Sequence, residues 1–340
     1  NAGLSVSTGT NNTLIGGLAG DALTDADANV ALGAFALGAD TLGSKSVAIG
    51  DSALATQNFT TATDSYNVAV GFSAGNDITT GIQNVFIGAL AGDALTDADF
   101  NTAVGYGALS SDTLGNRNVA VGTNALATQN FTTATNAYNT AVGESAGVSI
   151  TTGAQNDLFG GLAGDALTDA DYNVALGFAT LSADTLGSRS TAVGHSALAT
   201  QNFTTATDSY NVAVGHGSGS SVTTGVNNTL IGGLAGDALT DADYNVAVGI
   251  SALSADTLGS RSVAIGRMAL GNQNFTTATN AYNTAVGYSA GIQVTTGQLN
   301  TIIGGDAGDA LTDADKNTAV GYSALSTDVR GSQSTAVGYQ

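Results

Sequence analysis

Residues 67–71 read Asn-Val-Ala-Val-Gly, and the same pattern returns along the whole chain: Asn, two small or β-branched residues, an aliphatic, then Gly. Its glycines are Gly16, Gly33, Gly50, Gly71, Gly88 and so on to Gly338, nineteen in all. Their spacing runs 17, 17, 21, 17, and that cycle closes every 72 residues. The longer period is visible independently, because Gly-Asp-Ala-Leu-Thr-Asp-Ala-Asp begins at Gly20, Gly92, Gly164, Gly236 and Gly308. Asn-Phe-Thr-Thr-Ala-Thr carries its aromatic residue at Phe59, Phe131, Phe203 and Phe275. Fixed periods of this size are the signature of a solenoid, in which each repeat buries its apolar side against its neighbours. The expected fold is all-β: a parallel β-solenoid (β-roll) with coils of 17/17/21/17 residues. Residues 1–340 read as a single repeat array, with super-repeats beginning near 12, 84, 156, 228 and 300.

Each coil is numbered here from its Asn. Position 1 is Asn in fifteen copies and Ser in four, at Ser46, Ser190, Ser262 and Ser334. Position 4 is aliphatic in every copy but one, where it is Phe159, and position 5 is always Gly. Position 8 is Ala except at Thr180 and Ser218. Position 6 varies freely, as in Ala34, Asp51, Phe72, Glu144, His195, Arg267 and Tyr322. Positions 2 to 4 form a short β-branched run, which predicts a strand with 2 and 4 on one face and 3 on the other. The Gly suggests a bend or a close backbone approach. Asn suits a corner, and stacked Asn side chains can form an amide ladder. The expected register buries position 4 in the chain's own core and exposes position 6. Position 3, mostly Ala, is expected to face partner chains near a shared axis. Neighbouring coils spaced roughly 4.8 Å apart then give a rod on the order of 90 Å long.

Composition narrows the function. The 27 acidic residues outweigh 7 basic ones, for a net charge of −20. That balance argues against nucleic acid, whose phosphates require Lys and Arg, and against anionic membrane surfaces. No stretch reaches the roughly 18 apolar residues of a membrane span. Cysteine is absent, so disulfides and thiolate metal sites are excluded. Both ends of the sequence fall in mid-coil, which reads as a window onto a longer fibre.

The runs Asn67–Gly75 (NVAVGFSAG), Asn101–Leu109 (NTAVGYGAL), Ser46–Leu54 (SVAIGDSAL) and Asn317–Leu325 (NTAVGYSAL) resemble the head repeats of trimeric autotransporter adhesins and the repeat region of phage tail fibres. The resemblance spans essentially the whole chain. It implies a left-handed parallel β-roll in which three identical chains wrap a shared axis. It also implies an extracellular fibre, on a virion tail or a cell surface, that meets a host receptor or glycan through regions outside these residues. The coil period differs from that of the adhesin head, and no heptad stalk or membrane anchor is present. Both departures favour the tail-fibre branch or another secreted fibre. Other secreted solenoids, such as ice-binding proteins or calcium-dependent adhesins, are the alternative.

The candidate sites are periodic. Three Asp residues in each acidic turn form a candidate Ca²⁺ site, since calcium takes six to eight oxygen ligands. They are Asp21, Asp25 and Asp27; Asp93, Asp97 and Asp99; Asp165, Asp169 and Asp171; Asp237, Asp241 and Asp243; and Asp309, Asp313 and Asp315. The competing reading has them capping turns and keeping the fibre soluble. The four extra residues of the third coil are expected to bulge outward, with Phe59 and its equivalents folding back and Tyr66, Tyr138, Tyr210 and Tyr282 packing on them. Carbohydrate stacking is the other use for those aromatics. Arg117, Arg189, Arg261 and Lys45 are expected to pair with nearby Asp. His195 and His216 lack periodic partners, which argues against a metal or catalytic role. Thr-Thr-Gly returns once in four coils, too sparse for an ice-binding ladder. A polysaccharide-cleaving enzyme would need paired carboxylates in a groove, and Glu144 is the only Glu. No catalytic or cofactor-binding residues are assigned.

Overall fold

The computed structural model describes residues 1–340, which form two compact units, Asn1–Asp171 and Tyr172–Gln340. Each unit is a parallel β-solenoid with no helix. The first contains nine three-residue strands, from Thr13–Ile15 to Asp157–Phe159, and the second contains ten, from Val174–Leu176 to Thr335–Val337. Every one of them covers positions 2 to 4. Successive coils pair without offset: Val119 lies beside Thr102 and Thr140, and Ala120 beside Ala103 and Ala141. A second wall adds two-residue pairs where the long coil stacks, such as Gly43–Ser44 with Thr63–Asp64 and Gly187–Ser188 with Thr207–Asp208.

The strand faces are the reverse of the expected register. Position 3 points into the coil's own core, where Ala31, Ala48, Ala69, Ala103 and Ala120 are fully buried. Positions 2 and 4 point outward. Val70, Val104, Val142 and Val214 are half-buried, and Ile15, Leu32 and Leu176 are 56%, 42% and 47% exposed. The cause is volume. Leu37, Leu54, Leu109 and Leu126 at position 9 fill the interior of those coils, leaving room for only a methyl group at position 3. Where position 3 is large, position 9 becomes Gly. The full side chain of Phe86 is buried, and a Cβ at Gly92 would lie 2.4 Å from its Cε1. Leu158 and Leu230 make the same exchange with Gly164 and Gly236.

Position 1 and position 5 stack the coils. Asn29, Asn67, Asn84 and Asn101 are fully buried. The Asn84 backbone N–H donates to Asn67 Oδ1 at 2.9 Å, and the Asn84 side-chain amide donates to the Ala98 carbonyl at 2.7 Å. Each amide thus links its own coil to the one before, as the ladder reading anticipated. Where Ser46 and Ser190 replace Asn, their backbone N–H groups still donate to Asn29 and Asn173. The corners use left-handed backbone at positions 7 and 9 and at the last residue of the coil, as at Ser52 (φ 58°), Leu54 (φ 49°) and Tyr66 (φ 51°). Such a conformation costs a non-glycine residue roughly 1–2 kcal/mol. At Leu54 the burial of its whole side chain offsets that cost.

Candidate functional site

The acidic turns distribute their three carboxylates rather than gathering them. The second and third Asp bond back to the preceding coil in the first four turns; in the fifth, Asp315 does so while Asp313 accepts from Thr312 and pairs with Arg330 of the next coil. Asp97 accepts from Thr80 Oγ1 at 2.6 Å and Asp99 from the Ile82 N–H at 2.8 Å. Asp25 and Asp27 accept from Thr8 and Thr10; Asp169 and Asp241 accept from Thr152 and Thr224. Asp243 and Asp315 accept from the N–H groups of Val226 and Gln298. These bonds are the turn-capping pattern, and they also tie up the Thr-Thr hydroxyls. No group of three or more His, Asp or Glu side chains comes together as a metal cage.

The first Asp of the turn differs. Oδ1 of Asp93, Asp165, Asp237 and Asp309 is buried with no hydrogen-bond partner. Burial pushes the pKa of these four carboxyls up, and it does the same to Asp40 against the opposing pull of its Gln57 bond. A carboxyl whose folded pKa lies above its unfolded value favours the fold in its neutral form. That contribution is fully present below the ordinary value of 3.8 and is lost as pH rises through the raised folded value. Asp27, held down by its bonds from Thr10, works in the opposite sense. The net charge of −20 adds self-repulsion near neutrality. The melting temperature should therefore rise as pH falls from 7 toward the upper edge of the carboxylate range. A steady fall in a thermal melt series over that interval would contradict this balance.

Asp40 and its equivalents lie at position 12 in the core. Asp40, Asp112, Asp184 and Asp256 are fully buried. Oδ1 of Asp112 accepts from the N–H groups of Gly115 and Phe131 at 3.1 and 3.0 Å. Its Oδ2 accepts from Gln129 Nε2 at 2.5 Å, and Gln129 Oε1 accepts from Asn139 Nδ2 at 2.8 Å. The same chain of bonds recurs as Asp40–Gln57–Asn67 and as Asp184–Gln201–Asn211. The Gln residues went unremarked in the sequence. Their signal was position: Leu95, Asp112, Gln129 and Ile150 occupy one column, so a polar pair interrupts an apolar row every four coils.

The long coil folds its Phe inward. Phe59, Phe131, Phe203 and Phe275 are about 5–6% exposed, while the neighbouring Thr60, Thr61 and Ala62 stand out in solvent. Phe59 also receives a bond through its own N–H, which donates to Asp40. The tyrosines do not join this packing in the expected way. Tyr66, Tyr138, Tyr210 and Tyr282 are about half exposed and lie against basic side chains at position 17. Arg117 sits 4.6 Å from the ring centre of Phe100 and 5.8 Å from that of Tyr138. Arg189 lies likewise between Tyr172 and Tyr210, and Arg261 between Tyr244 and Tyr282. Each guanidinium thus lies between two rings of neighbouring coils, which remain partly exposed. The expected ion pairs form at Lys45–Asp64 (2.6 Å) and Arg189–Asp208 (3.0 Å). Arg117 and Arg261 instead donate to Asn136 and Asn280, because Asn replaces Asp in those repeats.

Position 6 is outward, as expected, with Phe72, Tyr106, Tyr288 and Tyr322 all more than half exposed. In this column the structure brings His195 and His216 together, with ring centres 5.3 Å apart. The outer sheet face, positions 2 and 4, is a uniform row of part-exposed apolar and Thr side chains in each unit. Asp157 is the one charged residue in either row. No protein-family model matches the chain, and no curated protein matches it.

Proposed function

We propose that the chain is a structural fibre segment, a self-associating shaft of a phage tail fibre or a cell-surface adhesin. One observation carries this reading: the outward sheet face at positions 2 and 4 is a continuous row of half-exposed Val, Ile, Leu and Thr in each unit. Monomeric soluble proteins rarely leave so extended an apolar strip uncovered. Two further copies of the chain are its natural cover, since identical rows repeat at identical spacing and are almost uncharged. In the homotrimer proposed here, positions 2 and 4 face the shared axis, and Ala at position 3 belongs to each chain's own core. The acidic turns and the variable position 6 remain outside, which suits an extracellular, soluble fibre. The even spacing of surface features supplies no clustered hot spot. Recognition of a host receptor or glycan is therefore assigned to regions outside these residues, and catalysis is assigned nowhere in the chain.

The test is the oligomeric state. Light scattering should give three times the chain mass. Val104→Asp combined with Val121→Asp should dissociate the trimer, because two carboxylates would be buried without partners. The β-sheet signal in circular dichroism should survive, since both side chains point away from the coil's own core. A wild-type chain that stays monomeric at its solubility limit would overturn the proposal.

A further inference from the structure

We propose that His195 and His216 form a bidentate binding site for a late first-row divalent transition metal, preferring Cu(II) over Ni(II) and Zn(II). They are the only two histidines of the chain. They lie 21 residues apart, the length of one long coil, so they occupy the same position on successive coils. The strands that carry them, Thr191–Val193 and Val212–Val214, pair without offset. The Gly217 N–H donates to the His195 carbonyl at 3.0 Å, and the Gly215 N–H to Val193 at 2.8 Å. The two backbones are thus held at fixed separation, which removes much of the entropy loss of chelation.

The rings are nearly parallel, at 17°, with centres 5.3 Å apart, and both are exposed. Rotation about the side-chain torsions of these exposed rings turns the two Nε2 atoms toward one point, as a metal with bonds of roughly 2.0–2.1 Å requires. His195 Nδ1 lies 2.9 Å from Ser196 Oγ. With Nδ1–H donating to that hydroxyl, the Nε2 lone pair of His195 faces outward for a metal. Phe178 stacks on the far side of His195 at 5.5 Å, while the coil after His216 carries Gly233 at this position and leaves that side open. The surrounding charge of −20 concentrates cations at the surface. Two imidazoles suit late first-row metals, in the order that places copper highest. Water completes the coordination shell, so the site is exchangeable. The corresponding pairs in the other super-repeats are Asp51 with Phe72, Thr123 with Glu144, and Arg267 with Tyr288, so the site is unique in the chain.

Electron paramagnetic resonance of the full chain with one equivalent of Cu(II) tests this. The spectrum should show coupling to two imidazole nitrogens. His195→Gln and His216→Gln should each weaken Cu(II) binding by about tenfold or more, because each abolishes the chelate. Both positions are exposed, so the metal-free melting temperature of each variant should match the parent. Two histidines acting independently would leave each variant with one site of unchanged affinity. Carboxylate binding would leave the double variant as tight as the parent. Either result overturns the proposal.

Discussion

Gly232→Ala should destabilise the second unit by about 3 kcal/mol or more, whereas Gly233→Ala, one residue away, should change stability by less than about 0.5 kcal/mol. The two glycines differ only in place. Gly232 has φ 134°, a region that residues with a Cβ essentially avoid, and a Cβ there would lie 2.6 Å from the Gly249 carbonyl oxygen and carbon. The Gly249 N–H donates to Ile231 at 2.7 Å, so the neighbouring coil cannot retreat without breaking the ladder. At Gly233 nothing lies within 4 Å of the added methyl. Because a solenoid's stability is a sum of coil and interface terms, the damage should centre on the coils around Gly232. Hydrogen exchange would show it as faster exchange at Val214, Ile231 and Val248, with distant coils less affected. Equal losses for both variants would mean that glycine is needed at position 5 for some reason other than stacking.

Much of this architecture was legible in the repeat itself. The Asn-to-Gly motif located every three-residue strand, and invariance at position 5 marked the backbone contact that makes Gly232 irreplaceable. The Asn ladder followed from Asn at fifteen of the nineteen corners, and the Phe of the long coil tucks in as its period suggested. The two strand faces were not legible. Alternation says that positions 2 and 4 share a side, but Val70 and Ala69 are both apolar, and nothing local says which row is inside. The answer lies across the coil: Leu54 and Leu109 occupy the interior and leave position 3 only a methyl's space. That complementarity is between residues six apart on opposite walls, and it shows in the sequence only as the exchange of Ala/Leu for Phe/Gly at Phe86 and Gly92.

The candidate sites divided along the same line. The acidic turns were conspicuous in the sequence, yet Asp97 and Asp99 are spent on the coil before them. Asp112, a charged residue in an acidic and soluble-looking sequence, is wholly buried. The two histidines have no partners at the 72-residue period, yet their rings stack because they lie one long coil apart. In each case a side chain's role was set by the coil stacked on it, which a reading confined to one repeat does not reach.

Asp112→Asn should cost about 2–4 kcal/mol, a large effect for the loss of one oxygen. Every partner of the carboxylate is an N–H donor: Gly115, Phe131 and Gln129. A new amide can offer its oxygen to the two backbone groups, but its NH₂ then meets the NH₂ of Gln129. Reversing the Gln129 amide only moves the clash onward, because its oxygen already accepts from Asn139. The donors run in one direction and no local flip relieves them. Gln129→Leu should be comparably harmful, since it strands one carboxylate oxygen and the Asn139 amide together. The double variant Asp112→Asn with Gln129→Leu removes the meeting of the two amides, and should lose less than the two single losses combined, by about 1 kcal/mol or more. Strict additivity in urea unfolding would show that the two residues do not act as a pair.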